Sequence, residues 1–493
     1  MTQDKRAIII GAGIGGLTTA INLSQKGYRV TVFEKNLHPG GRCGNIVKNG
    51  HRFDTGATFL MMPEIYEDTY SRFGRYMDEE LELHRLDPVY KLHFKDGRVI
   101  TFTPDLQDLR RQMEAIEPGS FNKFLKLLPE GHRAYKQAIK HVVDHNYTSL
   151  LDIALVKQLY ILLRFKAFTN HYSFIKRHFK SEVLRNLFTF QNLYLGQNPL
   201  KSSGIYFFMP FMELTSGVLY PKGGMHQIIK NLVSIAEGAG VVLNLNASVT
   251  GVKVNGSLAR GIELKDGSYH EADIIIANAD LPYVYNNLLP PSRMARRISN
   301  KKYTCSAVAF HWGIDTVFPG LEQHNVFVSD SHKENFDAIF KHKSVPEEPT
   351  IYVHSPVRCD PSAAPAGEDS LTAIVHAGHL NGEEQDWQEM KARAREAIIR
   401  RLENEGMKDF EKHIKFEICH TPKTYQSHFN LTRGAVFGSL AHNILQMGYF
   451  RPKNRHKVYK NLYFVGGSTQ PGSGMPLSLL SAKLVTERII NSN

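Results

Sequence analysis

The order of apolar and polar residues at the start of the chain predicts a strand, a helix and a second strand. Residues 7–10 form a short apolar run typical of a buried strand, and residues 29–33 form another. Between them, apolar residues recur at helical spacing over residues 17–23. Three glycines with the spacing G-x-G-x-x-G join the first strand to the helix, and they are Gly11, Gly13 and Gly16. This pattern is typical of a βαβ unit with a glycine-rich turn.

Each glycine of this turn has its own physical role. Gly11 allows a tight turn, Gly13 lets the backbone approach a pyrophosphate, and Gly16 lets the helix pack closely on the strand. The N–H groups at the helix N-terminus offer partial positive charge to phosphates. Glu34 follows the second strand, where a carboxylate can accept hydrogen bonds from ribose hydroxyls. Together these features predict a dinucleotide site, and the alternative is a purely structural glycine turn.

The rest of the chain alternates strand and helix patterns in blocks. Residues 89–102 alternate apolar and polar positions on either side of an Asp-Gly turn, which predicts a β-hairpin. A helical pattern then runs from residue 104 to about residue 200. Short strand patterns over residues 241–279 predict a meander that returns to the nucleotide sheet, and residues 295–450 alternate strands with helices.

A second glycine-rich segment lies near the end of the chain. Residues 461–467 predict a strand that ends in two glycines, and a helical pattern begins after Pro476. A helix N-terminus directed at a bound ring system would stabilise negative charge on that ring. The alternative is an ordinary glycine loop before the last helix.

Four segments together resemble the flavin amine oxidase superfamily, and within it the phytoene desaturase family of bacterial carotenoid desaturases. They are residues 7–17, 40–42, 54–58 and 461–476. The resemblance implies FAD as the cofactor, which the glycine turn alone does not distinguish from NAD. It also implies that the backbone at Val249 contacts the adenine side. The predicted FAD contacts are Gly11, Ala12, Gly13, Gly15, Gly16, Glu34, Lys35, Gly41, Arg42, Gly56, Ala57, Thr58, Val249, Asn278, Gly466, Gly467, Gly474, Met475 and Pro476.

The resemblance also implies an α/β fold with three parts. These are a Rossmann-like FAD-binding domain, a mixed-sheet substrate domain and a helical region that associates with a membrane. The predicted segments are residues 1–75, 217–292 and 456–493 for the FAD-binding domain, residues 76–105 and 293–455 for the substrate domain, and residues 106–216 for the helical region.

Composition adds limits to this interpretation. The chain has 493 residues, of which 42% are hydrophobic and 22% charged, as expected of a folded protein with two or three domains. The four cysteines are far apart and form no C-x-x-C pair, which favours reduced thiols over a disulfide framework or a zinc site, and no metal site is predicted. No signal peptide is evident before the first strand, and no run reaches the ~18 apolar residues of a membrane span. We therefore expect a cytoplasmic protein.

The net charge of +12 calls for an acidic partner surface. Residues 149–168 are the most apolar part of the chain, and residues 157–180 contain six basic side chains and no acidic ones. Aromatic residues are interleaved with these charges, which is typical of an element that dips into the anionic inner face of the cell membrane. The alternative is a buried core helix followed by a solvated basic turn. Nucleic-acid binding is disfavoured because no binding motif accompanies the charge.

By resemblance, the expected activity is desaturation of a membrane-dissolved carotenoid, with hydride transfer to FAD. Residues 471–483 resemble later-acting members such as hydroxycarotenoid 3,4-desaturases. Many phytoene desaturases have a His and a small residue where this chain has Gln470 and Ser473. A later-step desaturase is therefore the main prediction, and a phytoene desaturase is the alternative. A FAD-dependent carotenoid isomerase, a flavin amine oxidase and a lipid-binding protein with a vestigial nucleotide fold are further alternatives.

The partners of the reaction follow from the motifs. Since only one G-x-G-x-x-G is present, no NADPH site is predicted, and a quinone or oxygen is expected to reoxidise the flavin. The carotenoid carries no charge, so its site is expected to be a long apolar tunnel. Glu213 and His226 are the candidates for accepting the proton that leaves with the hydride, and a structural role is the alternative for each.

Overall fold

The computed structural model describes residues 5–147, 160–161, 163–382, 385–443 and 446–492. Most of residues 149–168, where we predict a membrane-binding helix, lies outside these described residues. The strands are β1 (Arg6–Ile10), β2 (Arg29–Phe33), β3 (Asn45–Lys48), β4 (His51–Asp54), β5 (Leu83–Arg85), β6 (Tyr90–His93), β7 (Val99–Phe102), β8 (Leu219–Pro221), β9 (Val242–Asn244), β10 (Val249–Asn255), β11 (Leu258–Leu264), β12 (Tyr269–Glu271), β13 (Ile274–Ala277), β14 (Ser306–Ile314), β15 (His324–Phe327), β16 (Ile351–His354), β17 (Asp369–Ala377), β18 (Ile414–His420) and β19 (Leu462–Phe464). The α-helices span Ile14–Ser24, Pro63–Arg72, Met77–Glu80, Leu106–Ile116, Ser120–Ala138, His171–Lys176, Glu182–Leu187, Phe208–Ser216, His226–Gly238, Leu281–Tyr283, Arg293–Ser299, His332–Phe340, Trp387–Asn404, Pro422–Phe429 and Met475–Ile490.

A five-stranded parallel sheet brings the two glycine-rich segments of the chain together. Its strand order is β19-β13-β1-β2-β9, so N-terminal, central and C-terminal parts of the chain build it. Alternate residues of β1 join two different core clusters, because both faces of the sheet are covered. The helices Ile14–Ser24, His226–Gly238 and Met475–Ile490 pack on one face, and the antiparallel sheet β10-β11-β12 packs on the other. The predicted βαβ unit and meander are confirmed.

A seven-stranded mixed sheet, in the order β18-β14-β17-β16-β15-β6-β7, forms the second layer. Strands β15 and β6 run parallel, and the other neighbours run antiparallel. The predicted hairpin is confirmed as β6 and β7, with Tyr90 opposite Phe102. The helix Trp387–Asn404 shares a core cluster with Trp312 of β14 and so covers one face of this sheet. The mixed α/β fold implied by the resemblance is present.

The helices between β7 and β8 pack through aromatic rings. The Phe188 ring lies 4.9 Å from that of Phe179, 6.0 Å from that of Phe124 and 5.8 Å from that of Phe211. Such rings bury a large apolar area and stabilise contact between short helices that would be marginal alone. None of the helices in the described part of the chain combines the length and apolar character needed to span a bilayer.

The segment at residues 160–180, which is rich in basic and aromatic residues, has both buried and exposed aromatic side chains. Phe165, Phe174 and Phe179 are buried, because they join the main core cluster beneath this segment. Phe168 is 60% exposed, and the exposed apolar side chains Tyr160 and Leu163 lie close to it in the sequence. Burial of Phe165, Phe174 and Phe179 favours the alternative of a core element at these three positions. All four cysteines are free thiols.

Candidate active site

A cavity of about 370 Å³ opens at the carboxyl edge of the parallel sheet. Ile10 and Phe33, which end β1 and β2, line it together with Asn278 after β13 and Val465 after β19. Since β2 and β19 are three strand spacings apart, the cavity crosses about 14 Å of the sheet edge. Open α/β sheets bind their ligands in this position, outside the carboxyl ends of the strands.

The glycine turn is packed so tightly that larger residues do not fit. A Cβ atom on Gly16 would lie 2.2 Å from the Gly11 carbonyl oxygen, and one on Gly11 would lie 2.7 Å from the Asn278 carbonyl oxygen. The Asn278 side-chain amide donates to the Gly11 carbonyl oxygen at 3.1 Å, which ties β13 to the turn. No side chain caps the helix Ile14–Ser24 at Gly13, so its first N–H groups are left for a ligand in the cavity.

Glu34 is buried and anchored at the end of β2. Its Oε2 accepts from the Ala12 N–H at 2.8 Å, and its Oε1 accepts from the Asn36 N–H at 3.0 Å. Each oxygen keeps a lone pair for a ligand hydroxyl, and Glu34 lines the cavity. The neighbouring Lys35 donates from Nζ to the Ser427 carbonyl oxygen at 2.8 Å and to Asn430 Oδ1 at 3.1 Å. Lys35 therefore holds the helix Pro422–Phe429 against the cavity.

A partly buried cation, Arg42, and a buried anion, Asp280, both line the cavity and attract each other. Arg42 donates from Nη1 to the Val436 carbonyl oxygen at 2.9 Å, and burial lowers its pKa while the Asp280 charge opposes that shift. Asp280 Oδ2 accepts from the Thr432 N–H at 2.9 Å, and its Oδ1 has no partner among the described residues. Burial raises the pKa of Asp280, while Ser439, Thr432 and, to a smaller extent, the Arg42 charge lower it. The unpartnered Oδ1 is an acceptor available to a ligand.

The C-terminal glycine segment closes the opposite end of the cavity. Gly466, Gly467, Gly474 and Met475 line it, and no side chain caps the helix Met475–Ile490 at Gly474. A second helix N-terminus therefore ends at the cavity with positive partial charge.

Arg451 lies behind this segment and is 1% exposed. It donates from Nε to the Thr469 carbonyl oxygen at 2.9 Å, from Nη2 to the Gly467 carbonyl oxygen and from Nη1 to the Gln446 carbonyl oxygen at 3.2 Å. Among the described residues it has no carboxylate partner, and burial lowers its pKa to about 10. Arg451 therefore fixes the backbone of the C-terminal glycine segment from behind.

Most of the predicted FAD contacts meet at this one cavity. Those that line it are Gly11, Gly13, Gly15, Glu34, Lys35, Gly41, Arg42, Gly56, Ala57, Val249, Asn278, Gly466, Gly467, Gly474 and Met475. The cavity lining does not include Ala12, Gly16, Pro476 or Thr58. Ala12 binds Glu34, Gly16 packs under the turn, and Pro476 begins the last helix. The Thr58 hydroxyl instead lies 2.5 Å from the Tyr352 hydroxyl, on the side of the seven-stranded sheet.

The two predicted proton acceptors lie outside the cavity lining, in different surroundings. His226 Nδ1 donates to the Cys43 carbonyl oxygen at 2.9 Å, so it holds the Gly40–Cys43 loop from the far side. This contact favours the structural alternative for His226. Glu213 is 1% exposed, and its Oε2 accepts from the Tyr90 hydroxyl at 3.1 Å.

Several lining residues carry no motif in the sequence. Tyr425, Phe429 and Phe437 reach the cavity from a segment that lacks nucleotide motifs, and Tyr194 reaches it from the helical region. The Tyr425 and Phe429 rings stack with centroids 6.4 Å apart. Asp280 was also missed, although its position just after Asn278 and the strand β13 was an available signal.

A second, smaller cavity of about 210 Å³ adjoins the first. Its apolar lining residues are Phe190, Leu193, Pro199, Leu200, Val326, Val328, Phe336, Ile339, Pro346 and Pro349. His376 lines this apolar cavity and stacks at 4.9 Å on Phe437, which lines the larger one. His376 Nε2 also donates to the Leu193 carbonyl oxygen at 2.9 Å. Leu193 and Tyr194 are consecutive, so one thin partition separates the two cavities.

The parallel sheet, the glycine cradle and the two uncapped helix N-termini define a dinucleotide-binding protein of the Rossmann type. The chain belongs to the family described as flavin containing amine oxidoreductase, which matches residues 14–490. It is 39% identical to the zeta-carotene-forming phytoene desaturase of Myxococcus xanthus, over 99% of this chain and 94% of that protein. It is 36% identical to the phytoene desaturase of Fusarium fujikuroi, over 99% of this chain and 90% of that protein. The structure of an oxidoreductase from Methanosarcina mazei shares the fold, with a TM-score of 0.66 and 16% identity over 98% of this chain and all of that one.

The protein is a flavin-dependent oxidoreductase, and FAD is the usual cofactor of its family. The residues of the large cavity fit this group. Glu34 retains lone pairs for ribose hydroxyls, Gly13 and Gly474 leave two helix N-termini uncapped, and Asp280 keeps one buried oxygen without a partner. A Cβ at Gly13 would approach Asn278 Nδ2 to 2.9 Å, so a larger residue would displace the amide that is hydrogen-bonded to Gly11. The helix N-termini suit phosphates and an electron-rich ring.

Proposed function

We propose that the protein is a carotenoid desaturase, which introduces C=C bonds into a polyene. The observation that carries this proposal is the apolar cavity, separated from the large cavity by the partition at Leu193 and His376. An uncharged hydrocarbon offers no group for an ion pair, so an apolar cavity beside a hydride acceptor suits it. The relatives that match nearly the whole chain carry names of phytoene desaturases, which supports the same substrate class.

The residues of the large cavity would hold each part of the cofactor. Glu34 and Val249 would hold the adenosine end, the N-terminus of the helix Ile14–Ser24 would hold the phosphates, and Tyr194 and Met475 would lie on the side of the ring. Bound there, FAD supplies the hydride acceptor of the reaction. The positive end of the helix Met475–Ile490 then stabilises charge at the ring. A quinone or oxygen is the proposed oxidant that restores the flavin.

Two desaturation steps are candidates. The named relatives favour a substrate of the phytoene kind. The later-step hydroxycarotenoid 3,4-desaturation is favoured by the resemblance of residues 471–483 to later-acting members, and Ser473 of this segment lines the large cavity. Gln470 gives no support to either step, because its Nε2 donates to the Gly448 carbonyl oxygen at 3.2 Å and its side chain is absent from the described lining.

Expression in cells that accumulate phytoene, neurosporene or a hydroxylated γ-carotene tests the function and the step together. We expect an absorption band at longer wavelength and a product mass lower by two hydrogen atoms for each new double bond. A shift in the phytoene strain supports the early step, and a shift confined to the hydroxylated pigment supports the later one. A product of unchanged mass would indicate an isomerase. Unchanged pigment in all three strains, with folded yellow protein present, would reject the proposal.

We propose that the segment at residues 160–168 contacts the inner face of the cell membrane, where the substrate is dissolved. Tyr160, Leu163 and Phe168 are each more than half exposed, which is costly in water for large apolar side chains. Exposed basic side chains at Lys166 and Lys176 adjoin them and suit anionic headgroups.

Replacing Tyr160, Leu163 and Phe168 together by serine is expected to weaken binding to vesicles with anionic lipid about tenfold or more, because apolar area would no longer enter the interface. Co-sedimentation with the vesicles measures this. The matched control replaces Val47, Tyr269 and Val458, which are also exposed but lie elsewhere in the sequence, by serine. Equal losses in the two triple variants, or none in the first, would contradict the proposed surface.

A further inference from the structure

The smaller, apolar cavity has polar side chains at one end. Glu182 and Lys333 line it and are exposed, so this end opens to the surface, whereas Leu193 lies at the inner end beside the partition. Asn186 and Asn335 also line the cavity, and they are only 9% and 6% exposed. Two buried amide side chains therefore interrupt a lining that is mostly apolar. Ligand cavities use such isolated polar groups to fix the orientation of the ligand.

Each of these two amide groups is bonded to the protein through its nitrogen. Asn335 Nδ2 donates to the Glu348 carbonyl oxygen at 2.9 Å, and because a carbonyl can only accept, this contact fixes the orientation of the amide. Asn186 Nδ2 donates to His332 Nε2 at 3.2 Å. Burial lowers the pKa of His332, although nearby acidic charges oppose the shift, so the ring is neutral at pH 7 and its Nε2 can accept.

The two amide oxygens are left for a ligand. In the part of the chain that the structure describes, Oδ1 of Asn186 and Oδ1 of Asn335 accept no hydrogen bond. A hydrocarbon that enters the cavity displaces water from these oxygens and offers no donor in return, which is unfavourable. The end of the cavity at these amides therefore disfavours a plain hydrocarbon and favours a ligand end that carries a hydrogen-bond donor.

The hydroxyl groups in the same lining already have partners within the protein. The Tyr172 hydroxyl donates to Glu182 Oε1 at 2.6 Å, and the Thr189 hydroxyl donates to the Arg185 carbonyl oxygen at 2.7 Å. The Thr350 hydroxyl oxygen accepts from a backbone N–H at 3.2 Å. Unlike the two amide oxygens, these groups need nothing from a ligand.

We propose that Asn186 and Asn335 bind a hydroxyl group at the end of the carotenoid, so that the enzyme prefers a hydroxylated substrate. This inference rests on the proposed function, and it names the class of carotenoid. The hydroxyl donates to an amide oxygen, and the hydrocarbon part lies along the apolar lining towards Leu193 at the partition. A site with acceptors placed for a hydroxyl discriminates strongly against an analogue that lacks it. Of the candidate substrates, the hydroxylated carotenoid is therefore favoured over phytoene, which has no oxygen.

Equilibrium binding without turnover tests this subsite. The holoenzyme, with its flavin chemically reduced so that it cannot accept hydride, is titrated in detergent micelles with γ-carotene or hydroxylated γ-carotene. Absorption of the pigment that stays with the protein on gel filtration gives the two affinities. We expect the wild type to bind the hydroxylated pigment about 10-fold or more tightly. Asn186→Leu and Asn335→Leu should each reduce this preference, and the double variant should bring it close to one, because leucine has a similar size and no acceptor.

Thr189→Val is the matched control in the same cavity, because the Thr189 hydroxyl is already bonded to a backbone carbonyl oxygen, and it should keep the preference for the hydroxylated pigment. Flavin absorbance and thermal unfolding of each variant establish that the fold is retained, and desaturation with oxidised flavin and quinone is assayed separately. Equal binding of the two pigments by a wild type that desaturates them, or an undiminished preference in the double variant, would overturn the subsite and leave the proposed function intact. Absence of desaturation by the wild type with every carotenoid would reject the function and the subsite with it.

Discussion

Replacing Gly16 by alanine is expected to abolish flavin binding. The added Cβ would lie 2.2 Å from the Gly11 carbonyl oxygen and 2.8 Å from Asn278 Nδ2, well inside the 3.0 Å that Cβ atoms keep from other heavy atoms. Both the helix and the strand β1 are packed in the core, so neither can move aside without opening the cradle. Loss of the close helix–strand contact would also displace the helix N-terminus from the phosphates.

The measurement is the amount of FAD bound by each polypeptide after purification and after reconstitution with excess FAD. We expect Gly16→Ala to be colourless after purification and to bind FAD at least about 100-fold more weakly. Gly238→Ala is the matched control, because Gly238 is exposed at a helix end and its added Cβ meets nothing within 4 Å. Full flavin content in Gly16→Ala, with an unchanged melting temperature, would contradict the geometry of the cradle.

The parts of the site that sequence predicts well are those defined by local backbone chemistry. The turn at Gly11 and Gly13 and the anchoring acid Glu34 follow from one strand–helix–strand unit, so their spacing in the sequence fixes their positions in space. Thr58 is a predicted FAD contact that this local reasoning places incorrectly. It lies only two residues after Gly56, yet its hydroxyl faces Tyr352, because the chain turns from one sheet towards the other at this point.

The parts that sequence reasoning misses depend on contacts between distant segments. Tyr425 and Phe437 line the cavity although they are distant in the sequence from the parallel sheet, and no local pattern indicates that approach. The burial of Phe165 and Phe174 does not follow from the sequence, because aromatics beside lysines suit a membrane surface and a core edge equally well. Glu213 is a predicted proton acceptor, but the hydrogen bond that it accepts from Tyr90 of β6 is a tertiary contact.

Neither the composition nor a sequence motif identifies Arg451 as a functional residue. Its burial and its hydrogen bonds indicate that it supports the site. Its guanidinium donates to four backbone carbonyl oxygens, those of Gly467, Thr469, Gln446 and Ala441. Gly467 lines the large cavity, and its loop must keep its shape for the helix Met475–Ile490 to reach the ligand. The charge of Arg451 also lies behind the end of the cavity where negative charge would develop.

Replacing Arg451 by methionine is expected to lower the free energy of unfolding by about 3 kcal/mol or more and to cause most of the bound FAD to be lost. The reason is that buried carbonyl groups without donors cost about 1–3 kcal/mol each. Arg451→Lys keeps the charge but has fewer donors in fixed positions. Its stability and its FAD content should therefore lie between those of the wild type and of Arg451→Met. Thermal unfolding with and without added FAD measures both effects.

The matched control is Arg455→Met. Arg455 lies four residues after Arg451 and donates to the Lys460 carbonyl oxygen at 3.1 Å, but this hydrogen bond is exposed. Because water can replace that donor, the control should lose under about 1 kcal/mol. Equal melting temperatures and flavin contents in the two methionine variants would show that the buried guanidinium does not support the site.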